Sequence, residues 1–146
     1  MGIARDRRPS TLPEAQERIR AAGERVTGPR CAVLAALLDA DAALTHHEIE
    51  DALAGGAPVD RVTVYRVLEW LVALGLAHRI AGEDRAWRYH ANRDLSAGPH
   101  AHFTCSRCGK TVCLEDVAVP AAVKVPRGFL PQGTELTVRG LCSACH

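Results

Sequence analysis

Cys105-Ser-Arg-Cys108 and Cys142-Ser-Ala-Cys145 are two C-x-x-C knuckles separated by 33 residues. Two such knuckles supply four thiolates at the bite that tetrahedral Zn²⁺ accepts, with Zn–S near ~2.3 Å. Gly109 follows the first knuckle directly, where a tight turn calls for a residue tolerant of unusual φ/ψ. The second knuckle lies at the end of the sequence, so closing the site ties that end to the middle. Disulfides and a thioredoxin-like redox pair are the rival chemistries. Nothing in the sequence indicates secretion, which disfavours disulfides, and a lone redox pair has no use for a second knuckle. The expectation is a structural zinc held by Cys105, Cys108, Cys142 and Cys145.

The histidines suggest a second metal site. His100 and His102 alternate, so on a strand both rings face one side and can converge on one ion. His78 opens a hairpin-like stretch and His90 closes it, both near in sequence to the segment before His100. An ion gripped by His78, His90, His100 and His102 would lock the preceding part of the chain against the following part. A single histidine is more often a surface or core residue than a ligand; the convergence of several is what favours metal here. His46 and His47 are reserve candidates; Cys113 and Glu115, just past the first knuckle, are possible extra ligands that read first as structural or exposed. A nitrogen-rich set without carboxylates suits tetrahedral Zn²⁺ better than six-coordinate Fe²⁺, although imidazole also binds nickel and manganese.

Composition narrows the function classes. The formal net charge is only +1, and four metallated thiolates with one Zn²⁺ would carry it below zero, so any nucleic-acid contact must come from locally placed arginines. No apolar run approaches the ~18 residues of a membrane-spanning helix. Residues 1–9 are arginine-rich with no apolar stretch after them, unlike a signal peptide. A soluble, cytoplasmic protein with reduced thiols is expected. Enzyme activity is disfavoured, because a four-thiolate zinc has no open position for water or substrate.

These residues need elements to hold them. Residues 10–23 read as a first helix, with Ser10 or Thr11 as cap, Pro13 in the first turn and Gly23 as stop. Thr27 caps a second helix whose buried stripe is Val33, Leu34, Leu37 and Leu38, with Cys31 packing as a small hydrophobe. Thr45 with Glu48 forms a capping box for a short third helix, and Gly55-Gly56-Ala57-Pro58 is a loop. Asp60 caps a fourth helix that Gly75 ends; Val64, Val67, Leu68, Leu71 and Leu74 form its core face, with Val62, Arg66 and Glu69 opposite and Tyr65 at the edge. A hairpin follows, 76–80 and 86–90 about a Gly82-Glu83-Asp84 turn. Three short helices, a recognition helix and a hairpin make a winged helix-turn-helix, which sets its fourth helix in the major groove. Residues 92–100 read as a hinge. Beyond it come strands over 101–105, 110–114 and 135–141, with a short helix conceivable over 117–125 against Pro120 and Pro126.

The run Arg25-x-Thr27-x-x-Arg30, Thr45-x-x-Glu48-Ile49 and Val62-Thr63-Val64-Tyr65-Arg66-Val67-Leu68, followed by Leu74-Gly75-Leu76, resembles the ferric-uptake-regulator family of bacterial metal-sensing repressors. So does His100-x-His102-Phe103-x-Cys105-x-x-Cys108-Gly109, closed by Cys142-x-x-Cys145. The resemblance covers residues 12–146. It implies an α+β fold: a winged-helix DNA-binding domain over 1–91, a hinge over 92–100, and a small α/β dimerisation domain with a structural zinc over 101–146. It further implies a homodimeric repressor of metal-uptake genes that binds A·T-rich inverted repeats in double-stranded DNA when a regulatory metal is present. The DNA contacts carried over are Tyr65 and Arg66, with Thr63 beside them, and Arg25 near the minor groove; Arg25 and Arg30 flank the start of the second helix. Iron and peroxide sensors of the family tend to have an acid where His90 stands, so the resemblance leans to the zinc-uptake branch, with a regulatory zinc beside the structural one. Pro99, Ala101, Pro120 and Gln132-Gly133 depart from the pattern, implying that an accessory metal site is missing and the dimer interface is trimmed. An iron- or redox-responsive repressor, and a zinc-ribbon interaction module that reads no DNA, are the alternatives.

Overall fold

A computed structural model describes residues 11–56, 59–82, 84–92, 101–114, 117–120 and 123–146. Helix α1 spans Thr11–Ala21, with Gly23 at φ +76° after it. The Ser10 cap lies outside the described residues. Helix α2, Gly28–Asp39, starts as its sequence requires: the Thr27 hydroxyl accepts the Arg30 N–H, and Pro29 occupies the first turn, where no intrahelical N–H is needed. In α3, His46–Leu53, both halves of the Thr45–Glu48 capping box are formed, at 3.2 and 2.8 Å. A cap of this type stabilises a helix by about 0.5–2 kcal/mol. Asp60 accepts the Thr63 N–H at 2.8 Å to start α4, Arg61–Ala73, which ends at Gly75 with φ +75°.

Strand β1 is only Leu44–Thr45, too short for periodicity to reveal. It pairs with β3 (Trp87–Ala91), which pairs antiparallel with β2 (Ala77–Ala81), giving the order β1-β3-β2. One hydrophobic core joins α1 to α4 with this sheet: Ile19, Leu34, Leu37, Ile49, Val64, Leu68, Leu71 and Leu76 are fully buried, as is Cys31 nearly so. Burying each such aliphatic side chain contributes about 1.5–3 kcal/mol. Leu74, placed on the core face by the helical wheel, is only half-buried because it lies at the helix end.

A second sheet has order β5-β4-β6, from β4 (Ala101–Cys105), β5 (Thr111–Leu114) and β6 (Leu136–Gly140); β4 pairs antiparallel with β5 and parallel with β6. The short helix conceivable over 117–125 does not form in the described part of that stretch, 117–120 and 123–125; Pro120 lacks a backbone donor there and Pro126 follows. The Ala43 N–H, just before β1, donates to the Thr111 carbonyl of β5 at 2.8 Å. The fold is α+β, a winged helix-turn-helix followed by a small second sheet. No helix among the described residues is long and apolar enough to cross a membrane.

Candidate metal centres and nucleic-acid face

Cys105 ends β4, Cys108 lies in the turn to β5, and Cys142 and Cys145 follow β6. The parallel β4–β6 pairing brings the two knuckles together: all four sulfurs lie within 4.8 Å of one another, with Cys108 Sγ 3.7 Å from Cys142 Sγ. Gly109, at φ +77°, lets its N–H return to the Cys105 carbonyl at 2.9 Å and close the turn. Backbone N–H groups of Cys108 and then Cys142 point at Cys105 Sγ and hold its thiol down at about 6. Cys145, hydrogen-bonded to the Cys142 thiol and then desolvated, is pushed up to about 12. Four sulfurs gathered this closely match the bite of a tetrahedral divalent cation. The donor set fits a closed four-thiolate zinc site.

The second cluster consists of two cross-strand pairs. His78 on β2 stands directly opposite His90 on β3, and His102 on β4 directly opposite Cys113 on β5. Residues opposite on antiparallel strands share one face at short range, and here the two faces meet. His78 Nε2 is 3.1 Å from His102 Nε2 and 3.6 Å from Cys113 Sγ, while His90 Nδ1 is 3.2 Å from that sulfur. The ligand atoms of His78, His102 and Cys113 lie within 4.8 Å of one another, with His90 joining through Cys113. His90 and His102 are 6% and 4% exposed. Of the four histidines expected to converge, the structure brings together three; His100 lies outside the described residues, as does Glu115.

Cys113, a possible extra ligand in the sequence, stands among these histidines. It is half-buried and faces the histidines. The signal was present: the β4–β5 hairpin is symmetric about the midpoint of Arg107 and Cys108, and reflection through that point maps His102 onto Cys113. The cluster among the described residues mixes nitrogen and sulfur. His46 and His47 stand apart from it. His46 stacks on Tyr65 with ring centroids 3.7 Å apart and planes at 20°, its Nδ1 3.8 Å from Glu50, and exposed His47 sits 3.6 Å from Asp51.

On α4, Val62 and Tyr65 are 58% and 48% exposed and Arg66 is exposed, while Thr63 is half-buried beside the cap. Arg25 is exposed. The Arg30 guanidinium lies 4.0 Å above the Trp70 ring and donates to the Arg25 carbonyl at 2.8 Å, so it braces α2 against α4.

One contact joins the hairpin to the knuckle. Arg88, 8% exposed, donates to both carboxylate oxygens of Asp84 at 2.9 and 3.0 Å, which holds that carboxyl down at about 2. Its guanidinium occupies the space beside Gly82 and Gly109, where a Cβ would lie 2.2 Å from Nη1 and 2.8 Å from Nη2 respectively.

The model of the ferric uptake regulator family matches residues 21–127. Transcriptional regulator FurA of Mycobacterium tuberculosis (strain H37Rv) is 34% identical over 141 residues, covering 93% of this chain and 92% of that protein. The zinc uptake regulation protein of Escherichia coli (strain K12) is 31% identical over 127 residues, 83% of this chain and 72% of that protein. The solved structure of a zinc uptake regulator complexed with zinc and DNA aligns with TM-score 0.66 at 21% identity over 91% of either chain, a likeness of fold. A family match over most of the chain, together with relatives above 30% identity along nearly its whole length, leads to one conclusion: this chain belongs to the ferric uptake regulator family.

Proposed function

We propose that this protein is a zinc-responsive, DNA-binding transcriptional repressor of metal-uptake genes, acting as a cytoplasmic homodimer. Membership of the family supports the coarser part, a metal-responsive transcriptional regulator. The observation that carries the finer part is the cluster of His78, His90, His102 and Cys113, two donors from each sheet. Three imidazoles and one thiolate suit Zn²⁺, since soft sulfur selects zinc over hard-ligand metals and a borderline ion accepts both donor types. In this reading Cys105, Cys108, Cys142 and Cys145 hold a structural zinc, and the mixed cluster, with His100 as a further candidate, holds the regulatory one.

A zinc bound by the mixed cluster supplies a crosslink between the hairpin and the second sheet. His78 and His90 thereby fix β2 and β3, which follow α4 directly, and this restricts how α4 can be presented. Tyr65 and Arg66 then read the major groove, by apolar contact with thymine methyls and by bidentate hydrogen bonds, with Thr63 beside them. Arg25 reaches the backbone or a narrow A·T-rich minor groove, and Arg30 joins it by leaving Trp70. If zinc binds the DNA-competent arrangement more tightly, zinc and DNA raise each other's affinity by the same factor. An A·T-rich inverted repeat matches a two-fold dimer. The exposed edge strand β6 supports dimerisation, with Leu136 and Val138 on it and Leu130, 84% exposed, before it.

The experiment is fluorescence anisotropy of a fragment of the protein's own promoter against buffered free Zn²⁺, with the four-cysteine zinc retained. A steep rise in binding at low free zinc is expected; a response flat in zinc overturns the proposal. A second reading, redox responsiveness, draws on the Cys113 thiol among the histidines, because oxidation of that sulfur would remove a ligand. It predicts loss of DNA affinity with peroxide at constant zinc.

A further inference from the structure

Asn92, directly after β3, is held by hydrogen bonds in several directions. Its Nδ2 donates to the Gly75 carbonyl at 2.7 Å, and its Oδ1 meets His78 Nδ1. Its backbone N–H donates to the Leu76 carbonyl at 2.9 Å, and its carbonyl accepts from Arg18 Nη1 of α1. A carbonyl has no proton to give, so the Gly75 oxygen fixes which way the amide points: Nδ2 faces Gly75 and Oδ1 faces His78. Oδ1 also only accepts, so the proton in that hydrogen bond belongs to His78 Nδ1. In a neutral imidazole the other nitrogen then carries the lone pair. That nitrogen is Nε2, the atom 3.1 Å from His102 Nε2 and 3.6 Å from Cys113 Sγ.

We infer that Asn92 is a positioning residue for the mixed cluster: it sets His78 in the Nδ1–H tautomer with the Nε2 lone pair directed at the metal position. The inference rests on the proposed metal site and deepens it. With His78 Nε2 as acceptor, the 3.1 Å contact makes His102 the donor in the metal-free protein, so His102 is the imidazole that gives up an Nε2 proton on loading. Because Gly75 terminates α4, the same amide also ties the cluster to the end of the recognition helix. Partners of this kind on the far nitrogen of a ligand imidazole are typically worth roughly 10–100-fold in metal affinity.

The test combines ¹⁵N NMR of the His78 ring, in protein carrying one zinc per chain, with competition for a second Zn²⁺ against a chelator of known affinity. Wild type is expected to show protonated Nδ1 and unprotonated Nε2. Asn92→Leu is expected to lose that preference and bind the second Zn²⁺ roughly 10–100-fold more weakly. Asn92→Asp keeps an acceptor at His78 but no donor toward Gly75, and is expected to retain tautomer and affinity; it carries the test even where the leucine variant folds poorly. An Nε2–H tautomer in wild type, unchanged affinity in Asn92→Leu, or an Asp variant as weak as the Leu variant overturns the inference. His78→Ala separates the two levels. Unchanged second-site affinity there, or no second zinc in wild type, brings down the metal site and the inference with it. Weakening in His78→Ala with none in Asn92→Leu brings down the inference alone.

Discussion

Arg88 closes over Gly109, so that the hairpin's buried guanidinium occupies the volume a side chain would fill beside the first knuckle. A Cβ there would stand 2.8 Å from Nη2 and 3.5 Å from Cζ, on a residue whose φ of +77° already disfavours any L side chain. Gly109→Ala is therefore expected to lower stability by at least about 1–2 kcal/mol from the backbone alone. Chemical denaturation of the zinc-loaded protein measures it, and an unchanged midpoint would remove the claimed contact.

The Asp84–Arg88 pair gives a pH dependence with a definite sign. Arg88 holds the Asp84 carboxyl at about 2, below its ordinary 3.8. A carboxyl depressed in the folded state stabilises it above the ordinary value, and that contribution fades as pH falls from about 4 to about 2. Asp84→Asn should lose this part of the acid sensitivity. Comparing the two proteins across that window isolates it from protonation of the cysteines, which both share.

Cys113→Ser and His102→Ala should each leave a folded protein with zinc on the four cysteines and remove the zinc response of DNA binding. Coupling energies of ~1–3 kcal/mol correspond to roughly 5–150-fold in operator affinity. Metal content should fall from two zincs per chain to one. Both variants retaining the full response would move the sensor elsewhere.

Arg66→Ala should weaken operator binding by about 1–3 kcal/mol, the worth of a bidentate base contact, without changing zinc content. Tyr65→Phe, which keeps the stack on His46 and the apolar ring face, should bind nearly as wild type, whereas Tyr65→Ala should not. Gel-shift titrations at fixed salt decide both; unchanged affinity in both alanine variants would take α4 out of the groove.

What the sequence disclosed was local. Thr27, Thr45 with Glu48, and Asp60 each mark a helix start because a cap acts within three residues, and Gly75 marks a stop for the same reason. The two knuckles were legible because their spacing is itself the ligand geometry. Pairings between distant segments were not. A two-residue strand has no period, so β1 was missed. The arrest of Arg30 on Trp70 depends on how α2 crosses α4, and the turn of His46 toward Tyr65 rather than toward the other histidines depends on where α3 lies. Cys113 sits between the two cases, its partner fixed by a hairpin register that the knuckle itself determines.

The β4–β5 hairpin carries Cys105 and Cys108 at its turn and His102 and Cys113 on its strands. If both clusters bind metal, filling the four-cysteine site at the turn also fixes the strands that hold His102 and Cys113. A chain synthesised in severe scarcity would then be unready to sense in two ways, lacking both the signal and the scaffold that receives it.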